Sequence, residues 1–185
     1  MKSKLLFIVI AAIAACFSVP SDADVIVNEF GNGNGVMHGI AWDVNSTFIS
    51  TVQFKPLLDY WVTEIDVALV NAQGTNAATI SLLTSTKDGL PGKVLGSWKV
   101  SGQPTADTGP LTRIRNIPGI RIEAGKNYFL RIAPADDTTI DSWTFGEGES
   151  VTLYNGDTLA YASTNAPAFD IIGFVPSDAN NAAVK

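Results

Sequence analysis

Few residues of this chain combine the type and spacing that chemistry requires. His38 is the sole histidine, which rules out a multi-histidine metal centre and removes the usual general base for a serine nucleophile. Asp136, Asp137 and Asp141 offer the hard oxygen ligands that suit Ca²⁺. Their spacing does not match an EF-hand loop, and aspartate pairs commonly open turns through local hydrogen bonds, so a solvated turn is the better reading. Glu147 and Glu149 lie near Trp143 in the sequence and supply a carboxylate pair of the kind glycoside hydrolysis uses. Such a pair needs a fixed separation and one raised pKa, whereas Gly146-Glu147-Gly148-Glu149 is a flexible run. The expectation is a protein that is not an enzyme and needs no cofactor or metal.

Aromatic residues at loop edges are the remaining signal. Sugar rings present C–H faces that pack on aromatic rings, and Asp and Asn side chains accept hydroxyl hydrogen bonds. Trp143 with Asp141, and Tyr154 with Asn155 and Asp157, have that chemistry, and Trp42 is a further candidate. Trp143 and Phe145 share parity along one strand, so a core role for Trp143 stays open. Trp61 and Trp98 read as core by the same parity argument, Trp98 sharing its face with Val94 and Val100.

These residues must be held by strands. The stretch Thr79–Gly96 alternates Ile80 and Leu82 against Thr79 and Ser81, turns at Asp88-Gly89 and Pro91-Gly92, and leaves as a second strand. That is a hairpin, because Gly permits positive φ and Pro fixes φ in advance. Upstream, Trp61, Thr63, Ile65, Val67 and Leu69 alternate with Glu64 and Asp66; downstream, Tyr128, Leu130 and Ile132 point inward, and Thr158–Ala162 is expected to pair with Ala168–Phe174. Gly31–Gly35 is a glycine- and asparagine-rich connection with no helix after it, so it is not a phosphate cradle. No segment keeps a helical period. About ten strands with short loops predict an all-β, two-sheet antiparallel sandwich of jelly-roll or Greek-key type over residues 24–176.

The N-terminus reads as an export signal over residues 1–23. Lys2 and Lys4 precede the apolar run Leu5–Ala15, and Ser21 and Ala23 offer a small-residue cleavage site. That run is shorter than the ~20 residues a membrane-spanning helix needs. Ile13-Ala14-Ala15-Cys16 also fits a lipobox, so lipid attachment at Cys16, the only cysteine, is the alternative. A folded domain after this signal has no cysteine and no disulfide. Residues 177–185 read as a flexible tail. The chain carries a formal charge of −6, and removing residues 1–23 makes it one unit more negative. An acidic surface excludes nucleic acid and an anionic membrane as expected partners.

Three stretches, SLLTSTKDGLPGKVLGSW, LTRIRNIPGIRIEAGKNYFLRIAPADDTTIDSW and AFDIIG, occur in that order. Together they resemble the choice-of-anchor domains of secreted bacterial proteins, closest to the R type, over roughly Thr47–Gly173. The resemblance implies an extracellular β-sandwich and supplies no catalytic residues. Phe174–Lys185 lacks the anchor helix, sorting tag and basic tail of that family, so this copy is expected to be free or tethered at Cys16. The leading expectation is a non-enzymatic module that binds polysaccharide or another surface polymer. A structural protein–protein or adhesion module is the alternative, and a secreted hydrolase comes third.

Overall fold

The computed structural model describes residues 23–30, 36–147, 151–163 and 165–176. Residues 1–22 of the proposed signal, Cys16 among them, the glycine-rich connection 31–35, Glu149 and the tail lie outside them. Among the described residues every regular element is a strand, and the strands build an antiparallel β-sandwich.

One layer is a six-stranded sheet. It contains β3 (Ser50–Phe54), β6 (Ala77–Ser85), β7 (Pro91–Ser101), β10 (Tyr128–Pro134), β12 (Val151–Asn155) and β13 (Thr158–Ser163), in the order β13-β12-β3-β10-β6-β7. The facing layer has β1 (Asp24–Asn28), β14 (Phe169–Phe174), β4 (Tyr60–Val67) and β8 (Thr112–Arg115) in that order, with β9 (Arg121–Ile122) also on β4. A three-stranded sheet of β2 (Val36–Val44), β11 (Ile140–Gly146) and β5 (Leu69–Gln73) adjoins this layer. Backbone hydrogen bonds Ala68 N to Ala168 O, Thr144 N to Ala68 O and Ala168 N to Thr144 O stitch it on. Strands adjacent in the sheets are often distant in the chain, so connections cross repeatedly between layers, as in Greek-key topologies.

Alternation explains the core. Val52, Ile80, Leu82, Leu130 and Ile132 point inward from the six-stranded sheet, against Ile65, Val67, Phe169 and Ile171 from the other layer. All nine are fully buried, and such burial is the main favourable term in folding.

Three expectations need correction. Thr158–Ser163 pairs with β12, whereas Phe169–Phe174 pairs with β1 and β4, so these two segments do not form a hairpin. Val94 is 48% exposed because register shifts in the β6–β7 ladder change its parity, although Trp98 does pack partly buried against the core. Trp61 is only half-buried, and its neighbours Tyr60 and Val62 occupy the core face instead. The cause is a β-bulge: Glu64 faces Ile172 but Val62 faces Gly173, which leaves Thr63 as the extra residue. One extra residue inverts every side chain before it.

Candidate functional site

The aromatic candidates turn out to be structural. Trp143 is fully buried on β11; its indole N–H donates to Ala168 O at 2.9 Å and its ring packs on Phe169 at 5.9 Å. It is core, and it offers no face to a ligand. Asp141 is also fully buried, with Oδ1 accepting from Asn71 Nδ2 at 2.9 Å. Burial pushes its carboxyl pKa up, opposed by the Asn71 bond. Tyr154 stands edge-on to Phe129 at 5.1 Å, and its hydroxyl reaches back toward Gly89 O at 3.4 Å. Asn155 ties down the connection before β3, accepting from Ile49 N at 2.8 Å and donating to Thr47 O at 3.0 Å. Asp157 is exposed and ion-paired to Arg131. Trp42 is half-buried, stacked on Phe48 at 5.6 Å and edge-on to Phe145 at 5.7 Å. The structure therefore does not join these six residues into a sugar platform.

The acidic loop resolves in the same direction. Asp136 accepts from Thr75 Oγ1, Thr138 N and Oγ1, and Thr139 Oγ1, at 2.6 to 3.0 Å. Those donors hold its carboxyl far below the usual range. Asp137 faces solvent while Asp141 faces the interior, so the three do not converge. Among the described residues no group of three acidic, histidine or cysteine side chains is placed to hold a metal ion. His38 is exposed, with Nδ1 3.3 Å from Asp107. Glu147 is exposed, and its proposed partner Glu149 is outside the described residues.

Strand direction brings another set of residues together. β3 and β6 run toward one end of the sandwich and β10 runs away from it. The connections Lys55–Asp59, Thr86–Leu90 and Glu123–Asn127 therefore gather at that end. Each is fixed locally. Thr86 accepts from Leu90 N through its Oγ1 at 3.1 Å and donates its own N–H to Leu90 O at 2.8 Å, and Gly89 supplies the positive φ of 79° the turn needs. Gly125 N donates to Pro56 O at 2.9 Å, which locks two of the connections to each other. Asp59 accepts from Ala124 N at 2.8 Å and pairs with Arg121 at 2.7 Å. Both lower its pKa, the backbone donor more strongly.

Two open grooves flank these connections and meet at Asn127. One, of about 550 Å³, runs between Thr84–Lys87 and Glu123–Tyr128. The other, of about 570 Å³, lies beyond Asn127 and is lined by Gln53, Lys55, Leu57 and Thr152 among others. Hydroxyls, amides and lysines dominate the first; the second adds an apolar wall of Ile26, Val27 and Leu57 and one carboxylate, Glu29. Lys126 pairs with Glu123 at 2.8 Å, which raises the lysine pKa, while Lys55 and Lys87 make no ion pair among the described residues. Leu57 and Leu58 stand 87% and 52% exposed beside them.

Sequence reasoning passed over Lys55, Lys87 and Asn127 because it looked for aromatic faces. A usable signal was present: in an antiparallel sandwich alternate connections share an end, and these connections each carry a lysine. In comparison with known proteins, no family model matches the chain and no curated protein matches its sequence.

Proposed function

We propose that the chain is an exported, non-enzymatic binding module that holds an extracellular polysaccharide or another surface polymer at this loop end. The observation that carries the reading is the pair of grooves meeting at Asn127, lined by hydroxyl and amide groups on connections already fixed by their own hydrogen bonds. Preformed, polar concave surfaces suit a ligand rich in hydroxyls, because little ordering cost falls on the protein. Loop ends of a rigid sandwich are also where binding commonly resides. Export rests on Lys2, Lys4 and the apolar run that follows, and the likeness to choice-of-anchor domains agrees with an extracellular setting. The non-enzymatic reading rests on the carboxylates, since Asp59, Asp136 and Asp141 are each engaged by structural donors.

A glycan array probed with residues 24–185 tests the reading. Binding to one polysaccharide class, weakened roughly tenfold by Asn127→Ala with an unchanged melting curve, is the expected result. Docking of a protein partner is the second reading, favoured by Leu57 and Leu58 at the tip. Loss of a pulled-down protein partner on Leu57→Asp, with no glycan bound, would select it.

A further inference from the structure

From the distribution of charge around the grooves, we infer that the polymer they take is an anionic polysaccharide, one bearing carboxylate or sulfate groups. This rests on the binding reading above and narrows it. The chain as a whole is acidic, at −6. Its lysines are nevertheless gathered: of the five described, Lys55, Lys87, Lys93 and Lys126 all lie at the loop end, and only Lys99 lies elsewhere. Lys93 belongs to this group because it opposes Thr84, its N–H donating to Thr84 Oγ1 at 3.0 Å.

Three of these cations, Lys55, Lys87 and Lys93, have no carboxylate partner among the described residues. The arginines differ: Arg113, Arg115, Arg121 and Arg131 each pair with an acid, Arg121 with Asp59 at this same end, whereas Lys99 on β7 has no ion pair among the described residues. Unmatched ammonium groups on an acidic protein mark a place where the opposite charge arrives from outside. Their setting identifies its carrier. Lys87 and Lys126 flank one groove and Lys55 the other, with Asn127 at the junction. An extended chain crossing Asn127 meets a cation on each side. Between the cations stand Thr84, Ser85, Thr86, Gln53 and Thr152, which match sugar hydroxyls, and each groove also holds one acid, Glu123 in the first and Glu29 in the second. A neutral glycan would instead favour an exposed aromatic face, yet all four tryptophans are buried or half-buried. A flat bilayer would reach the exposed Leu57 but not the groove floors.

Glu123 makes the inference sharp. It lines the first groove and neutralises Lys126, so an incoming carboxylate must compete with it. Removing its charge should strengthen binding of a polyanion and leave a neutral glycan unaffected.

The test compares sodium alginate, a polyuronate, with neutral dextran, by calorimetry on the exported chain. Alginate should bind and dextran should not. Raising NaCl from 0.05 to 0.5 M should weaken alginate binding by about tenfold or more. The double substitution Lys55→Ala with Lys87→Ala should weaken it about tenfold, and Glu123→Gln should tighten it about threefold. All three side chains are exposed, and matching melting curves will confirm that folding is intact. Equal binding of alginate and dextran, with no response to Glu123→Gln, overturns the anionic inference and leaves polysaccharide binding standing. Absence of binding to any polysaccharide overturns both. Binding to phosphatidylglycerol vesicles but not to alginate, abolished by Leu57→Asp, also overturns the inference and identifies the tip as a membrane contact.

Discussion

Replacing Trp143 by alanine removes a fully buried indole together with its hydrogen bond to Ala168 O. The expected outcome is a loss of about 3–5 kcal/mol by denaturant titration, chiefly from the cavity, since Ala168 O still accepts from Ala68 N. Polysaccharide binding should change only as far as the chain unfolds. A second residue-scale consequence concerns Asp66 and Asp170, which face each other across β4 and β14. Both are buried, both have an Oδ1 without a hydrogen-bond partner, and burial pushes each pKa up to about 6, with Glu64 adding to the effect at Asp66. Arg113, 3.2 Å from Asp66, opposes the rise. The sign follows from linkage: a carboxyl whose pKa rises on folding is more comfortable protonated, so it favours the fold below pH 3.8 and loses that contribution as pH climbs through about 6. Asp170→Asn should therefore stabilise the protein at pH 7 by on the order of 1–3 kcal/mol and flatten its stability between pH 4 and 6. Urea titrations at the two pH values measure both effects; a destabilised Asp170→Asn at pH 7 would show that the charge is not the cost.

At the scale of the element, the bulge at Thr63 is held by Gly173. A Cβ there would lie 2.2 Å from Trp61 O, so Gly173→Ala should cost about 1–3 kcal/mol by forcing the two strands apart. Asp136 gives an element-scale prediction of opposite sign to Asp170. Its carboxylate accepts bonds from Thr75, Thr138 and Thr139 and is lowered in pKa on folding. Its contribution is present above pH 3.8 and fades as pH falls toward the folded value. Asp136→Ala should lower the melting temperature at pH 7 and matter much less at pH 2. The same elements mark what was legible beforehand. The Thr79–Gly96 hairpin, its turn residues and the inward set Tyr128, Leu130 and Ile132 were readable, because alternation and glycine chemistry are local. Trp61 was misread because a bulge leaves no trace in one strand's pattern; it exists only in the pairing of Glu64 and Val62 with β14. The choice between core and surface for Trp143, and the loop-edge reading of Tyr154, could not be settled beforehand because the covering residues, Phe169 and Phe129, come from distant strands. The loop-end grooves depend on three connections that are dispersed in sequence, and only strand direction unites them.

Over the whole molecule, net acidity surrounds the lysines gathered at one end, so approach of a polyanion should be slow at low salt even where final contacts are favourable. The ladder of β1 and β14 carries a different consequence. Asp24 faces Gly173 at one end of that ladder and Asn28 faces Asp170 at the other. Asp24 and Phe174 thus sit side by side, at the end of the sandwich where Lys55 and Lys126 lie. Tension applied through those two positions pulls along the direction in which the cross-strand hydrogen bonds point, and so opens them singly, like a zipper. Handles at residues 24 and 101, which lie at opposite ends, instead load many bonds in parallel. Rupture forces measured with the two handle pairs should differ, the first being the lower. A module pulled in that way would yield gradually, serving as a mechanical fuse between whatever it holds and whatever holds it.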